Sequence, residues 1–182
     1  MIIGITGTLG AGKGTIVRHL IEHHGYKHYS VREFLNREVA RRGMSLNRDS
    51  QVAVANELRS QYGSEYIVKM IMEKALKDGG KAVIESIRAV GEAEYLKSHG
   101  ALLWAVDADI KIRYERIRKR NSETDAISYE KFAQDEGREY KNSDPKKQSL
   151  SEVIAMSDIL FYNNGKEGEL IEKVRGALQS RA

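Results

Sequence analysis

The residues with the clearest chemical meaning are Gly7-Thr8-Leu9-Gly10-Ala11-Gly12-Lys13-Gly14-Thr15. They fit the spacing G-x-x-x-x-G-K, with Gly14 inserted between the lysine and Thr15. The loop follows a short apolar run, residues 1–6, and precedes Val17, Leu20 and Ile21 at helical spacing. Glycines let successive backbone N–H groups turn inward around phosphate oxygens. A helix starting near Lys13 adds its positive N-terminal end. Lys13 can reach the β- and γ-phosphates, and the Thr15 hydroxyl can face the phosphates or the hydration shell of Mg²⁺. We therefore expect Gly7, Leu9, Gly10, Ala11, Gly12, Lys13, Gly14 and Thr15 to bind ATP with Mg²⁺.

Phosphoryl transfer requires positioning and positive charge around the transferred group, and little covalent chemistry from the protein. Arg113, Arg116 and Arg120 are spaced i, i+3, i+7 and so share a helix face, which is also the pattern of an ordinary solvated basic face. Arg88 follows a strand directly and suits either a phosphate or an ion pair with Glu85. Arg138 lies in a charged segment and is a candidate lid arginine, or part of a plain polar helix. Arg32 and Arg37 are candidates for an acceptor phosphate. Glu85 and Asp107 end strands, and we favour Glu85 as the acid that holds Mg²⁺ through water. Asn163-Asn164-Gly165 forms either a turn or, through Asn164, a contact to the nucleotide base. The histidines 19, 23, 24, 28 and 99 lack metal-site spacing and read as surface or cap residues. Trp104 reads as core.

These residues must be positioned by strands that alternate with amphipathic helices. Strands are expected at residues 1–6, 26–30, 82–84, 102–106 and 159–162. Helices are expected to begin after Gly12, Ser30, Asn47, Ser64, Val90, Asp109 and Ser128. Ser149-Leu150-Ser151-Glu152 has capping-box spacing, and Ser64 looks like an N-cap. This alternation argues for an α/β fold of three layers: a five-stranded parallel sheet with helices on both faces and a small helical lid. The 182 residues suggest a single domain. Its core would be 1–30, 81–120 and 149–182, its acceptor-binding region 31–80, and its lid 121–148.

There is no cysteine, which excludes disulfides, thiol nucleophiles and cysteine-ligated zinc. No run approaches the roughly 20 apolar residues of a membrane span, and no signal peptide is visible, so a cytoplasmic location is expected. The net charge of +4 suits an anionic ligand. No RNP-type aromatic motif and no dense lysine tract point to nucleic acid.

The loop, with glycine between lysine and threonine, resembles that of adenylate kinases and nucleoside monophosphate kinases. Tyr29–Leu35 resembles the segment that begins their monophosphate site. Val83–Arg88 resembles their strand-three end, and Asp107–Arg120 the helix leading to the lid. The chain departs from that pattern at Val31, Asn36 and Ile87. The resemblance implies that Arg88 clamps the acceptor phosphate and that Arg116 and Arg120 bind donor phosphates. Dephospho-CoA kinases and phage-type deoxynucleotide kinases are also similar. The leading expectation is phosphoryl transfer from ATP to a phosphate-bearing small molecule, a nucleoside or deoxynucleoside monophosphate. The alternatives are a hydroxyl kinase such as a dephospho-CoA kinase, and an ATPase working with RNA or a protein partner.

Overall fold

A computed structural model describes residues 1–120, 128–140 and 149–180, apart from the side chains of Arg120, Arg138 and Glu139. Its strands are β1 (Ile2–Gly7), β2 (Lys27–Ser30), β3 (Ala82–Glu85), β4 (Leu102–Asp107) and β5 (Ile159–Tyr162). Its helices are α1 (Lys13–His24), α2 (Val31–Arg41), α3 (Arg48–Tyr62), α4 (Tyr66–Lys77), α5 (Val90–Ser98), α6 (Ile110–Arg120), α7 (Tyr129–Tyr140), α8 (Leu150–Ala155) and α9 (Glu167–Gln179). The strands pair in the order β2-β3-β1-β4-β5, all parallel. The expected α/β sheet is therefore present. The expected lid region, 121–148, is described only as α7.

The strands are apolar because both faces of the sheet are covered. Alternate residues supply two cores. Ile2, Ile84 and Leu103 pack with Val31, Leu35, Leu58, Ile67 and Ile71 on one face. Ile3, Ile5, Val83 and Trp104 pack with Ile16, Leu20, Leu170 and Val174 on the other. Trp104 is fully buried and meets Phe161 edge-on at 5.4 Å.

One expected cap is absent, and another lacks its side-chain hydrogen bond. The α4 N-cap is Glu65, not Ser64, whose hydroxyl turns to the Glu65 carboxylate. Ser149 does cap α8 by position, but its side chain accepts no capping hydrogen bond. Side-chain caps form at two other helix starts. Ser30 Oγ accepts from Glu33 N at the start of α2, and Asn47 Oδ1 accepts from Ser50 N at the start of α3. At α5, Glu92 Oε2 accepts from the backbone N–H groups of Arg88 and Ala89, at 3.0 and 3.1 Å. The same carboxylate is gripped by Arg59, with Nη2 to Oε1 at 2.7 Å. Arg59 and Glu92 are both essentially inaccessible, so this pair fixes α3 to the N-terminus of α5.

Candidate functional site

β1 delivers the phosphate loop into the middle of the sheet's carboxyl edge. Gly7 has φ +135°, and a Cβ there would lie 2.0 Å from Val106 O, so only glycine fits. Gly12, with φ +116°, is the N-cap of α1 and makes no side-chain cap, leaving first-turn N–H groups for an anion. The loop is held from several sides. Thr8 Oγ1 donates to Asp107 Oδ1 at 2.5 Å, Asn163 Nδ2 donates to Ala11 O at 2.7 Å, and Arg113 Nη1 donates to Leu9 O at 3.3 Å. Lys13 Nζ donates to Gly7 O and Thr8 O, both at 2.8 Å, arching over its own loop.

An open cleft of about 740 Å³ runs past this loop. Leu9, Gly10, Gly12, Lys13, Gly14 and Thr15 form its floor. One end is walled by Arg116, Asn163, Gly165 and Glu167, the other by His28, Ser30, Arg32 and Glu33, with Glu85 and Ser86 between. Arg116 donates to Asn163 O at 2.8 Å and to Gly165 O at 3.1 Å, which ties α6 to the turn after β5. Ser86 has φ +74°, an unusual conformation for a non-glycine residue, and its N–H binds Ile5 O. Such a conformation at a strand end beside a cleft marks a constrained site.

Glu85 Oε2 lies 3.1 Å from His28 Nε2. Burial pushes the Glu85 carboxyl up, but the His28 hydrogen bond with nearby Lys13 and Arg32 outweighs it. The net result is a carboxyl held below its usual range. The same hydrogen bond raises His28 above the usual imidazole value, against the effect of burial. His28 is exposed, as its spacing suggested, and it also lines the cleft. His19 departs from the surface expectation: it is 6% exposed, its ring is tilted against His23 and edge-on to His24, and its pKa is lowered chiefly by burial.

The other expected residues are placed as follows. Thr15 and Glu85 share the cleft, as a water-mediated Mg²⁺ site would require. Among the described residues no three or more His, Asp or Glu side chains form a metal cage. One hydroxyl, one ionised carboxylate and a cradle of N–H groups suit Mg²⁺ that brings its own water and phosphate ligands. Asp107 instead secures Thr8 and the N–H of Ala108. Asn164 Oδ1 accepts from Asp109 N at 2.8 Å, so its side chain serves the approach to α6, while Asn163 and Gly165 line the cleft. Arg32 lines the cleft, whereas Arg37 is exposed on α2 and lies outside it. Arg113 is buried, not part of a solvated face. Its guanidinium forms a two-pronged pair with Glu136 of α7, at 2.6 and 2.7 Å, and its Nε donates to Ala108 O. The side chains of Arg120 and Arg138 lie outside the described residues.

Arg88 is not among the residues that line the cleft. It lines a second, much smaller cavity with Leu9, Arg48, Phe132, Glu136 and Leu150. Leu9 of the loop borders both spaces. Sequence reasoning had no signal for His28, Arg48 or Glu136, because each gains its meaning from a partner distant in the chain.

Comparison with known proteins agrees with this geometry. A family model described as "AAA domain" matches residues 3–142. A UPF0200 protein of Methanococcus vannielii is 32% identical, over 98% of this chain and 95% of its own length. A UPF0200 protein of Thermococcus kodakarensis is 27% identical, over 96% and 95%. Among solved structures, a shikimate kinase from Aquifex aeolicus aligns with TM-score 0.55 at 17% identity, covering 100% of this chain and 98% of that one. A sugar kinase from a Janibacter species aligns with TM-score 0.60 at 17% identity, covering 98% and 94%. At that identity the likeness shows the fold alone, which is the fold of P-loop kinases. With its loop, its sheet order and these matches, the chain belongs to the AAA domain family and to the UPF0200 proteins.

Proposed function

We propose that this protein is a Mg²⁺·ATP-dependent phosphotransferase whose acceptor is a small phosphate-bearing molecule, a nucleoside or deoxynucleoside monophosphate. One observation carries this reading. A single cleft holds the phosphate loop with Lys13, Thr15 and Arg116 at one side and a separate wall bearing Arg32 at the other, with Glu85 between. A donor triphosphate on the loop directs its γ-phosphoryl group toward that second wall. An oxygen of the acceptor phosphate forms the new P–O bond as the bond to the β-phosphate oxygen breaks, and ADP leaves. Lys13 and the arginines offset the charge of the transferred group, and Thr15 and Glu85 suit the metal's water shell.

The Glu85–His28 contact favours a second reading. An ionised carboxylate held in place beside the acceptor wall can take a proton from a hydroxyl, as a hydroxyl kinase requires. The test is ADP release with Mg²⁺·ATP against AMP, CMP, dCMP, UMP, dTMP, GMP and dephospho-CoA, one at a time. Strong stimulation by one monophosphate supports the proposal and identifies the acceptor. Stimulation by dephospho-CoA alone supports the hydroxyl kinase. Slow release indifferent to all seven overturns both in favour of an ATPase working with a macromolecular partner.

A further inference from the structure

Arg113 of α6 is 4% exposed, and its guanidinium reaches beyond its own helix in more than one direction. Nε donates to Ala108 O at 2.7 Å. Nη1 and Nη2 donate to the Glu136 carboxylate of α7 at 2.6 and 2.7 Å. Nη1 also donates to Leu9 O of the phosphate loop at 3.3 Å. Phe132, one helical turn before Glu136, is 1% exposed and lies 5.8 Å from the guanidinium. The loop meets the α6 backbone here as well: a Cβ on Gly10, which has φ +82°, would lie 2.6 Å from Arg113 O. A link between α6 and α7 alone would be complete with Glu136, and the contact to Leu9 O goes beyond it.

A planar trans peptide holds the carbonyl of one residue and the N–H of the next on opposite sides. Leu9 and Gly10 line the cleft, whereas Arg113 does not. Drawing Leu9 O back toward Arg113 therefore turns the Gly10 N–H the other way, into the cleft, where a phosphate oxygen can accept it. It also keeps the Leu9 O lone pairs, which would repel a phosphate, from facing the ligand. Asn163 holds Ala11 O in the same manner, at 2.7 Å. Arginine suits this task because its rigid fork serves a carboxylate and two carbonyls at once, which a lysine ammonium on a flexible stem does not.

We propose that Arg113 is a positioning residue for the donor phosphates: it fixes the Leu9–Gly10 peptide with the Gly10 N–H aimed into the cleft, and its pair with Glu136 makes α7 part of the support of the nucleotide site. The inference rests on the phosphotransferase reading and deepens it by naming a residue outside the cleft that sets the grip on the donor. Arg113 itself touches no ligand. It acts by holding the loop in its binding geometry beforehand, so that the peptide does not reorganise when phosphate arrives.

The test uses Mg²⁺·ADP as the probe, with affinity from calorimetry and the amide signals of Gly10 and Gly14 from proton–nitrogen NMR. In the wild type, Mg²⁺·ADP moves the Gly10 amide proton downfield. Arg113→Lys keeps a cation beside Glu136 but loses the fork, and it weakens Mg²⁺·ADP binding about tenfold, the loss of one charge-assisted hydrogen bond within the site's support. A double variant, Arg113→Gln with Glu136→Gln, leaves neither charge buried without its partner, so it keeps the fold, and it shows the same loss of affinity. In both variants the nucleotide moves Gly10 much less than in the wild type, while Gly14, in the first turn of α1, moves as before. Wild-type affinity in either variant overturns the proposal. So does weaker binding with a wild-type Gly10 displacement, which would mark the pair as a helix-to-helix tie alone. An Arg113-dependent Gly10 displacement without ADP release against any acceptor leaves the positioning role standing and removes the phosphotransferase reading.

Discussion

At the scale of single residues, the glycines of the loop divide into those required by the fold and one reserved for ligand. A methyl group at Gly12 would lie 2.5 Å from Asn163 Nδ2 at φ +116°, whereas one at Gly14 would meet nothing within 4 Å. Gly14 lies in the first turn of α1 and lines the cleft. Gly14→Ala is therefore expected to raise stability by up to about 1 kcal/mol through helix propensity while weakening Mg²⁺·ADP binding. Gly12→Ala is expected to lose about 1–3 kcal/mol by backbone strain. Urea melts and nucleotide titration of the two variants separate the effects. Lys13→Ala should lower ADP release at least about a hundredfold with an unchanged circular dichroism spectrum, since its ammonium serves charge on the phosphates, not packing. The Glu85–His28 pair has a pH signature. His28, raised above 6.5, contributes stability that is full below that value and lost as pH rises through its folded pKa. Glu85, lowered below 4.5, contributes stability present above that value and lost as pH falls through its folded pKa. The melting temperature of His28→Gln should thus fall furthest below wild type between pH 4.5 and 6.5. The gap should narrow on both sides, which a pH series of thermal melts reads directly.

At the scale of elements, helices α3, α5, α6 and α7 are joined by buried ion pairs that sequence periodicity does not reveal. Arg59 and Glu92 are 33 residues apart, and Arg113 and Glu136 are 23 apart. The strands were legible because residues 2–6, 82–84, 102–106 and 159–161 are apolar runs, as burial on both faces demands. The phosphate loop was legible because its chemistry is local, contained within nine residues. Ser64 is not the cap its position suggests, because a serine can equally bond a neighbouring side chain, and Ser149 caps α8 by position with its hydroxyl buried by packing. The pairing of exposed His28 with Glu85 is not legible in the sequence because the two residues are 57 positions apart, across β2 and β3. Replacing Arg59 by methionine leaves Glu92 buried without its countercharge, with an expected cost of about 3–5 kcal/mol in denaturant unfolding. Because Glu92 also holds the N–H of Arg88, the same variant should loosen the start of α5.

At the scale of the molecule, β1 sits at the centre of the sheet, so the phosphate loop projects from its most buried strand. A ligand seated there contacts groups from β1, α1, α6 and the turn after β5, and none of these sites survives unfolding. Mg²⁺·ADP at a hundred times its dissociation constant should then stabilise the fold by about 2.7 kcal/mol. For a chain of this size that is a rise of roughly 5–10 °C in melting temperature. Lys13→Ala should show little of this rise, which thermal melts with and without nucleotide will report. The two walls of the cleft also differ in how the chain builds them. The wall bearing Arg116 is stitched together from residues near 10, 116 and 165, whereas the opposite wall comes from residues 28–33, at the head of the unbroken stretch 27–77 at one edge of the sheet. On the phosphotransferase proposal, an insertion, deletion or exchange within that stretch should alter what is received without rewriting what is given. A chimera that borrows this stretch from a kinase of similar fold, with the core contacts of Ile2, Ile84 and Leu103 preserved, should therefore inherit the other enzyme's choice of acceptor while keeping its own grip on the nucleotide.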